Sequence, residues 1–257
     1  MNCRLCNSDI DQSITSANLL GREVEYFDCA TCGYVQTENP TWLEEAYASP
    51  INPSDTGIMA RNLSNVGLVL ATLTLMGQRK GSVVDFAGGH GFLVRLLRDK
   101  GVNAFWADPF SDNLVARGFE YTEQCGPATL VTAFEAFEHF VSPLDEMNKL
   151  FSIAPNILLT TSIIPTPAPK PIDWWYYGLD HGQHIGFYRV QTLHYLAEKF
   201  GLQLLTDGIS THLFSQKKYS YRAWYMFRKG ARRMPRLFQL GLSPKTGADH
   251  LAVTKPN

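Results

Sequence analysis

The sequence predicts an α/β protein whose mostly parallel sheet carries helices on both faces, with a small metal-binding module at the N-terminus. Three observations predict this fold class. Short apolar runs alternate with helical segments along most of the chain, and this alternation favours parallel strands joined by right-handed crossovers. One apolar run, residues 82–86, leads directly into a glycine-rich turn, and two cysteine pairs lie within the first 32 residues.

The N-terminal cysteines have the spacing of a metal site. Cys3 and Cys6 form one C-x2-C pair, and Cys29 and Cys32 form a second. Four thiolates in this arrangement can close a tetrahedral zinc site, and Gly33 suits the tight turn that follows the second pair. Disulfides and an iron-sulfur centre are the alternatives, although a reducing cytoplasm disfavours disulfides. Because four thiolates leave no open coordination position, the expected zinc ion is structural.

Composition narrows the class of protein. The 257 residues are 45% hydrophobic and 18% charged, as in ordinary globular proteins, and the formal net charge is -1. A general nucleic-acid binder needs an excess of Lys and Arg to contact phosphates, so none is expected here. No apolar run reaches the roughly 18 residues of a membrane span, and the N-terminus lacks a signal peptide. We therefore expect a cytoplasmic protein without a transmembrane segment.

The pattern divides the chain into three parts. Residues 1–40 are predicted as a zinc ribbon, here called the cysteine module, which braces a neighbouring domain or contacts substrate. Residues 41–80 are predicted as a connector followed by a helix that begins at Ser54 or Asp55, and residues 81–257 as the sheet domain. Strands are expected at residues 24–28 of the ribbon, and at 82–86, 103–107, 119–122, 128–134, 156–163, 202–209 and 248–254 of a seven-stranded sheet, with a helix at 190–200.

The turn after the first sheet strand has the composition of a ligand-binding corner. Asp85 closes the strand, and the glycine turn, residues 87–91, leads into a helix whose N-terminal amides can meet a ligand, as in Rossmann-like sheets. Asp108 closes the second strand, where an acid accepts hydrogen bonds from ribose hydroxyls. These features predict a nucleoside-containing cofactor. A dinucleotide site usually has a third glycine where this chain has Val94, so the pyrophosphate fingerprint is incomplete.

The same segment resembles motif I of the class I S-adenosylmethionine (SAM) methyltransferases, with Ala87 where the first glycine is usual. Residues 134–143, after the fourth strand, are similar to a second segment of that family. The resemblance implies a seventh strand that runs antiparallel beside the fifth. It also implies the following SAM-binding residues: Asp85, Ala87, Gly88, Gly89, Gly91, Asp108, Pro109, Phe134 and Glu135.

Two later segments contain polar groups of interest. We interpret Glu138 and His139 as a buried polar pair that fixes the turn after the fourth strand. Residues 173–188, here called the acceptor loop, are rich in aromatic side chains that suit sugar rings or planar bases. His181, His184 and Tyr177 are the candidate catalytic residues, with His181 the stronger candidate for a base because it follows an acid. His184 has an equal claim to anchoring the turn before the helix at 190–200.

Over residues 1–215 the chain resembles bacterial class I methyltransferases with a four-cysteine zinc module, including sugar C-methyltransferases and members of polysaccharide gene clusters. The resemblance implies methyl transfer from SAM to a small-molecule acceptor, a sugar or a nucleotide-sugar or polysaccharide precursor. The chain ends before the C-terminal domain of the long sugar C-methyltransferases, which argues against C-methylation of a keto sugar. The alternatives are an rRNA methyltransferase with a zinc module, a non-catalytic ribbon and Rossmann-like binding protein, and a nicotinamide oxidoreductase.

Residues 219–240 are predicted as a helical insertion with a basic stripe and an aromatic stripe. The basic stripe suits phosphate groups or an anionic membrane surface. The alternative is a solvated basic face above a packed aromatic face. The sequence identifies neither the acceptor nor the atom that is methylated.

Overall fold

The structure is a computed structural model that describes residues 1–48 and 55–254. The chain forms two compact units, and each is assembled from separate stretches of sequence. Unit 1 consists of Met1–Asn52, Phe134–Lys149 and Leu159–Gln216, and unit 2 consists of Pro53–Ala133, Leu150–Leu158 and Lys217–Asn257. The domain boundaries expected after residues 40 and 80 stay a prediction.

The strands and helices follow in chain order. The strands are β1 (Ser13–Leu19), β2 (Arg22–Asp28), β3 (Val35–Thr37), β4 (Ser82–Phe86), β5 (Asn103–Ala107), β6 (Leu130–Phe134), β7 (Asn156–Thr160), β8 (Gly186–Phe187), β9 (Gln203–Thr206) and β10 (Thr211–Ser215). The helices are α1 (Leu43–Ala46), α2 (Ile58–Leu75), α3 (Phe92–Asp99), α4 (Pro143–Ile153), α5 (Val190–Phe200), α6 (Tyr221–Arg233), α7 (Pro235–Gln239) and α8 (Thr246–Thr254).

Unit 1 contains a four-stranded sheet in the order β1-β2-β3-β8. Strands β1 and β2 form an antiparallel hairpin whose two turn residues, Leu20 and Gly21, both have positive φ. This is the backbone of a two-residue hairpin turn that matches the twist of the strands. The strand predicted at 24–28 therefore lies within β2. Strand β3 pairs antiparallel with β2 on one side and with β8, from the acceptor loop, on the other.

The core of unit 1 forms on one face of this sheet. Alternate residues of β2, Val24 and Tyr26, are buried, while Glu23 and Glu25 are exposed. Burying every second side chain is what a strand with one solvated face requires. The buried residues pack in one cluster with Phe187 of β8 and with residues of the acceptor loop.

The second sheet has six strands in the order β5-β4-β6-β7-β10-β9. Strand β4 pairs parallel with β5 and with β6, whereas β9 and β10 are antiparallel. The central strands β6 and β7 are buried along nearly their whole length and rich in Leu, Ile and Val, as strands covered on both faces must be. The predicted α/β fold class with a mostly parallel, helix-flanked sheet is confirmed, with six strands in the described part of the chain rather than seven.

Two expected strands are absent from the described sheet. Residues 248–254 lie in α8, where Asp249 forms ion pairs with Arg95 and Arg98. Short apolar runs of this kind fit helix and strand equally well. Residues 119–122 form only an isolated parallel bridge, between Trp106 and Glu120. The strand predicted at 202–209 is shorter, as β9, and is followed by β10, which lies beside β7 and takes the position expected of the antiparallel seventh strand.

Helix α2 of unit 2 begins later than expected. Its N-cap position is Gly57, and Asp55 instead forms an ion pair with Arg61, with 2.5 Å between the oxygen and the nitrogen. The other expected cap, Ser54, lies outside the described residues. Gly67 allows close packing against α6, because a Cβ there would lie 2.8 Å from the carbonyl oxygen of Ala231.

By length and composition alone, α2 could cross a membrane, and 44% of its apolar window is buried. Buried core helices of globular proteins are often as long and as apolar as this one, so the absence of a membrane-spanning helix stays a prediction.

Candidate functional site

The glycine turn of unit 2 joins β4 to α3 through a backbone of unusual conformation. Ala87, Gly89 and Gly91 all have positive φ, at 55°, 53° and 88°. Residues with a Cβ atom adopt positive φ at a cost of about 1 kcal/mol relative to glycine, which explains why glycine is usual at the position of Ala87. The alanine adopts the required turn here all the same.

Two glycines of the turn are required by packing. A Cβ on Gly88 would lie 2.9 Å from Oδ2 of Asp85 and 3.0 Å from the Trp106 ring. A Cβ on Gly91 would lie 2.7 Å from Oδ1 of Asn113. At Gly89, by contrast, no atom lies within 4 Å of the corresponding position. The turn is therefore packed tightly at both ends and open at its centre, where a ligand can approach the backbone.

Asp108 links the glycine turn to the loop after β5. Its Oδ2 accepts a hydrogen bond of 2.8 Å from the Gly89 amide, and its Oδ1 accepts hydrogen bonds from the Phe110 and Ser111 amides. A carboxylate offers about four lone-pair positions, two on each oxygen, so Oδ2 retains the capacity to accept one hydrogen bond from a ribose hydroxyl, whereas both positions of Oδ1 are used. The next two residues, Pro109 and Phe110, are both exposed to solvent, and the exposed fraction of Phe110 is 79%. An exposed aromatic ring beside this acid suits a planar base, and the sequence reasoning did not single it out.

Asp85 lies beneath the turn and is almost fully buried. The Thr132 hydroxyl donates a 2.7 Å hydrogen bond to its Oδ1. Burial raises the pKa of Asp85 to about 7, the Thr132 hydrogen bond opposes the shift, and the negative charge of Asp108 adds to it. Asp85 therefore supports the turn from within.

Phe134 and Glu135 belong to unit 1, where they end β6 and begin the loop after it. Glu135 has a positive φ of 50°, and its amide donates to both the carbonyl and the hydroxyl oxygen of Thr160. This conformation turns the chain sharply at the end of the strand. Both residues are half-buried, and their contact with SAM stays a prediction.

The structure brings the four N-terminal cysteines together. The Sγ atoms of Cys3 and Cys32 are 3.6 Å apart, those of Cys6 and Cys29 are 3.5 Å apart, and all four lie within 4.8 Å of one another. A tetrahedral zinc ion with Zn–S bonds of about 2.3 Å separates its sulfurs by about 3.8 Å, whereas a disulfide needs about 2.05 Å. All four thiols are free, and their spacing fits a metal rather than disulfides.

Both cysteine pairs use the same backbone turn. The residue after each pair, Asn7 or Gly33, has positive φ and donates its amide to the carbonyl of the first cysteine of its pair, Cys3 or Cys29. The sequence reasoning identified Gly33 but missed Asn7, although asparagine is the residue that best replaces glycine in this conformation. The two turns repeat one geometry around the four sulfurs.

The cysteine module is bonded to the acceptor loop within unit 1. The Arg4 guanidinium donates to the carbonyl of Ile185, directly before β8, which itself pairs with β3. At the start of α5, Arg189 donates two hydrogen bonds of 2.7 Å to the carboxylate of Asp28 and one of 2.9 Å to the carbonyl of Gly33. These contacts support the bracing role expected of the module.

Tyr177 and Tyr176 of the acceptor loop have different surroundings. The Tyr177 hydroxyl donates to the Pro169 carbonyl at 2.9 Å, its ring packs edge-on against Tyr26, and burial raises its pKa to about 12. The Tyr176 hydroxyl lies 3.3 Å from that of Thr161, and the Tyr176 ring packs against His184. Of the two tyrosines, Tyr176 is therefore the one beside the loop histidines.

The two loop histidines differ in the nitrogen that is available. Nδ1 of His181 accepts a hydrogen bond from the Gln183 amide, so the proton of its neutral ring is on Nε2, next to Gly178. Nδ1 of His184 lies 2.6 Å from the Tyr176 carbonyl and donates to it, which leaves a lone pair on Nε2. Burial lowers the pKa of both rings, well below the ordinary value for His184. His184 is thus neutral near pH 7 and able to accept a proton or bind a metal.

Glu138 and His139 do not form the hydrogen-bonded pair expected from the sequence. His139 Nδ1 lies 3.0 Å from the Gln183 carbonyl and 2.9 Å from the Tyr47 hydroxyl. Glu138 is fully buried, and neither carboxylate oxygen has a hydrogen-bond partner. Burial and the charge of Glu135 raise the pKa of Glu138 to about 8, and the nearby hydroxyls of Tyr176 and Thr161 oppose this shift.

The predicted insertion at 219–240 is helical and forms α6 and α7 in unit 2. Trp224 is buried, whereas Tyr221 and Tyr225 are exposed, and Lys229 lies over the Tyr225 ring at 4.4 Å. The aromatic stripe is therefore only partly packed. Contact of the basic stripe with phosphates stays a prediction.

Comparisons with known proteins identify the family. Residues 57–207 match the model of the methyltransferase domain, which is more than half of the chain. A search of curated proteins finds no match.

Among solved structures, magnesium protoporphyrin IX methyltransferase from Synechocystis PCC 6803 with bound SAM is 18% identical, with 68% of this chain and 90% of that chain covered and a TM-score of 0.40. An O-methyltransferase family protein from Burkholderia thailandensis is 16% identical, with coverage of 71% and 69% and a TM-score of 0.45. Monomeric WbdD is 16% identical, with coverage of 59% and 41% and a TM-score of 0.40. On the strength of the matched domain, the chain belongs to the methyltransferase domain family.

Proposed function

We propose that the protein transfers a methyl group from SAM to a small-molecule acceptor, a sugar or a nucleotide-sugar or polysaccharide precursor. The observation that carries the SAM assignment is Asp108, which holds the centre of the glycine turn and retains an acceptor position on Oδ2. The residues that would hold SAM are Asp85, Ala87, Gly88, Gly89, Gly91, Asp108, Pro109, Phe134 and Glu135. Phe110 joins this set as the exposed ring beside Asp108.

The chemistry of the methyl donor, SAM, determines what the protein itself has to contribute to the reaction. SAM supplies a methyl group already activated on a sulfonium, so the protein has to place the acceptor in line and exclude water. The open backbone at Gly89 and the carboxylate of Asp108 would position the nucleoside part. The aromatic acceptor loop would position the acceptor, and its flat rings support the choice of a sugar.

A hydroxyl or carbon acceptor also needs a group that takes its proton. His181, His184 and Tyr177 are the candidates, and His184 is favoured because its Nε2 lone pair is free. The accepting nitrogen of His181 is occupied by the Gln183 amide, and the Tyr177 hydroxyl is bonded to Pro169. These two residues would instead hold the shape of the loop.

We also propose that the four cysteines hold one structural zinc ion. The sulfur spacing supports this assignment, and a reducing cytoplasm would keep the thiols available. With four sulfur ligands the ion would have no open position for substrate. Its role would be to fix the two turns that carry Asn7 and Gly33.

Calorimetry with SAM and with its demethylated product tests the cofactor assignment. We expect wild type to bind both, Asp108→Asn to bind SAM at least tenfold more weakly, and Asp112→Asn, a change on the same loop, to bind like wild type. Absence of SAM binding by the folded wild type would refute the assignment.

Transfer of labelled methyl groups from SAM to a panel of nucleotide sugars and cell extracts tests the acceptor class. His184→Gln should lower turnover while SAM affinity stays within about twofold. Unchanged turnover in both His184→Gln and His181→Gln would remove the histidines from the mechanism.

A further inference from the structure

Three side chains of unit 1 form a compact group of potential metal ligands apart from the cysteines. Glu138, His139 and His184 each offer one ligand atom, and these atoms lie within 4.8 Å of one another. Glu138 and His139 are in a short 3-10 helix after β6, and His184 is in the acceptor loop, directly before Ile185. The chain therefore brings together ligands from two distant stretches of sequence.

The hydrogen bonds of both histidines fix which ring nitrogen carries the proton. A carbonyl oxygen only accepts hydrogen bonds, so Nδ1 of His139 donates to Gln183 and Nδ1 of His184 donates to Tyr176. The second nitrogen, Nε2, then has a lone pair in each ring. A metal-binding histidine usually donates its other ring N–H to a carbonyl or carboxylate in this way, which orients the ring.

Glu138 supplies an independent observation. Its side chain is fully buried, and neither of its oxygens has a hydrogen-bond partner. An ionised carboxylate that is buried without a partner costs several kcal/mol, so such a group is protonated, pairs with a cation or binds a metal. No Lys or Arg forms an ion pair with Glu138 in the described part of the chain. Two histidines and a carboxylate thus lie within ligand distance of one another, and no cationic side chain of the described residues pairs with the carboxylate.

We propose that Glu138, His139 and His184 bind a divalent first-row transition-metal cation. Two imidazoles and one carboxylate suit Mn²⁺, Fe²⁺, Co²⁺ or Zn²⁺. Neighbouring ligands of such an ion are about 3.4 Å apart in a tetrahedral site at bond lengths of about 2.1 Å, so ligand atoms at the 4.8 Å limit would have to approach by about 1.4 Å when the cation binds. His139 and the neighbouring Tyr47 are partly exposed, so this end of the group lies nearest the protein surface.

The cation would change the role of His184. Three protein ligands leave coordination positions open, as in catalytic rather than structural metal sites. An acceptor hydroxyl bound there would lose its proton more readily, and His184 would be a ligand instead of a free base. This role rests on the proposed methyl transfer, whereas binding of the cation does not.

Equilibrium dialysis of the purified full-length chain against Zn²⁺, followed by metal analysis, tests the site. We expect wild type to hold one more Zn²⁺ per chain than Glu138→Gln or His184→Gln. His184→Gln keeps an N–H donor for the Tyr176 carbonyl, and circular dichroism establishes that each variant is folded. His194→Ala, which removes an exposed histidine of α5 in the same unit, should hold as much Zn²⁺ as wild type.

Mn²⁺ binding, measured by electron paramagnetic resonance, distinguishes this site from the cysteine site. The measurement compares the wild-type chain with Glu138→Gln, each first loaded with Zn²⁺. Mn²⁺ binds oxygen and nitrogen ligands and does not displace Zn²⁺ from thiolates. Because Mn²⁺ also binds nitrogen and oxygen ligands more weakly than Zn²⁺, a weak chelator first removes Zn²⁺ from the proposed site; after the chelator is dialysed away, wild type should take up one Mn²⁺ per chain and Glu138→Gln none. Equal metal content in wild type and both cluster variants would overturn the proposal, and calorimetry with SAM reports separately on the proposed function.

Discussion

The bidentate contact between Arg189 and Asp28 should contribute much of the stability that joins the cysteine module to the start of α5, directly after the acceptor loop. The Arg189 side chain is 10% exposed and that of Asp28 is 27% exposed, and both Arg–carboxylate distances are 2.7 Å. Arg189 also satisfies the Gly33 carbonyl of the second cysteine turn. Replacement by methionine removes three charge-assisted hydrogen bonds while it keeps most of the side-chain volume.

The expected cost of Arg189→Met is about 3 kcal/mol of unfolding free energy. Charge-assisted hydrogen bonds contribute about 1.5–3 kcal/mol each, but the partly exposed Asp28 regains water when its partner is lost. A double-mutant cycle with Asp28→Asn should give a coupling energy of about 2 kcal/mol. Arg189→Lys should recover less than half of the loss, because an ammonium cannot contact both carboxylate oxygens in the plane of the carboxylate.

Urea denaturation followed by circular dichroism measures these free energies. The exposed ion pair between Arg22 and Glu45 is the matched control, and Glu45→Gln should cost less than about 0.5 kcal/mol. Release of zinc to a chelator gives a second measurement, since about 2 kcal/mol of lost coupling corresponds to roughly 30-fold easier opening. A coupling energy below about 0.5 kcal/mol, or zinc release at the wild-type rate, would refute the reasoning.

Three further predictions concern unit 2. Gly88→Ala should lower stability by about 1–3 kcal/mol in thermal unfolding and weaken SAM binding in calorimetry, because the new Cβ would meet Asp85; wild-type values for both would contradict it. Asp249→Asn should lower the free energy of unfolding in urea by about 3 kcal/mol, because the buried Arg98 loses its charge partner. Burial opposes ionisation of Asp249, but its hydrogen bonds with Arg98 and Arg95 outweigh burial and lower its pKa. The stabilisation is therefore present above about pH 4 and is lost as pH falls further, and the variant should lack this pH dependence. Burial raises the pKa of Asp85 to about 7, so folding favours its protonated form and wild-type stability should decline as pH rises from about 4 to 7. The stability of Asp85→Asn should change less over this pH range, and an equal decline in the variant would show that another group causes the pH dependence.

Features that depend on local sequence were predictable. The glycine turn needs positive φ at fixed positions, and the cysteine pairs need a tight turn at fixed spacing. Both features can therefore be predicted from a few adjacent residues. The fold class followed from the alternation of strands and helices. The number of strands did not, because the last apolar segment fits a helix as well as a strand, and its ion pair with Arg98, far away in the chain, cannot be seen in the local pattern.

Features that depend on distant contacts were not predictable. Nothing local to His181 or His184 shows which nitrogen is protonated, because that depends on the Gln183 amide and the Tyr176 carbonyl. The sequence reasoning therefore favoured His181, whereas the hydrogen bonds favour His184. Likewise, Glu138 resembles half of a polar pair until its surroundings are known.

The pairing of β3 with β8 affects how the chain folds during synthesis. Arg4 and Ile185 are separated by 181 residues, so the ribosome releases the cysteine module long before its fourth strand exists. Until then β3 presents an unpaired edge, which is a site for aggregation. Early capture of a metal by the cysteines would hold the nascent module in a folded form while it waits, and a chain that lacks residues 1–40 would expose the opposite edge at β8. Neither part is therefore expected to behave well as a separately expressed fragment.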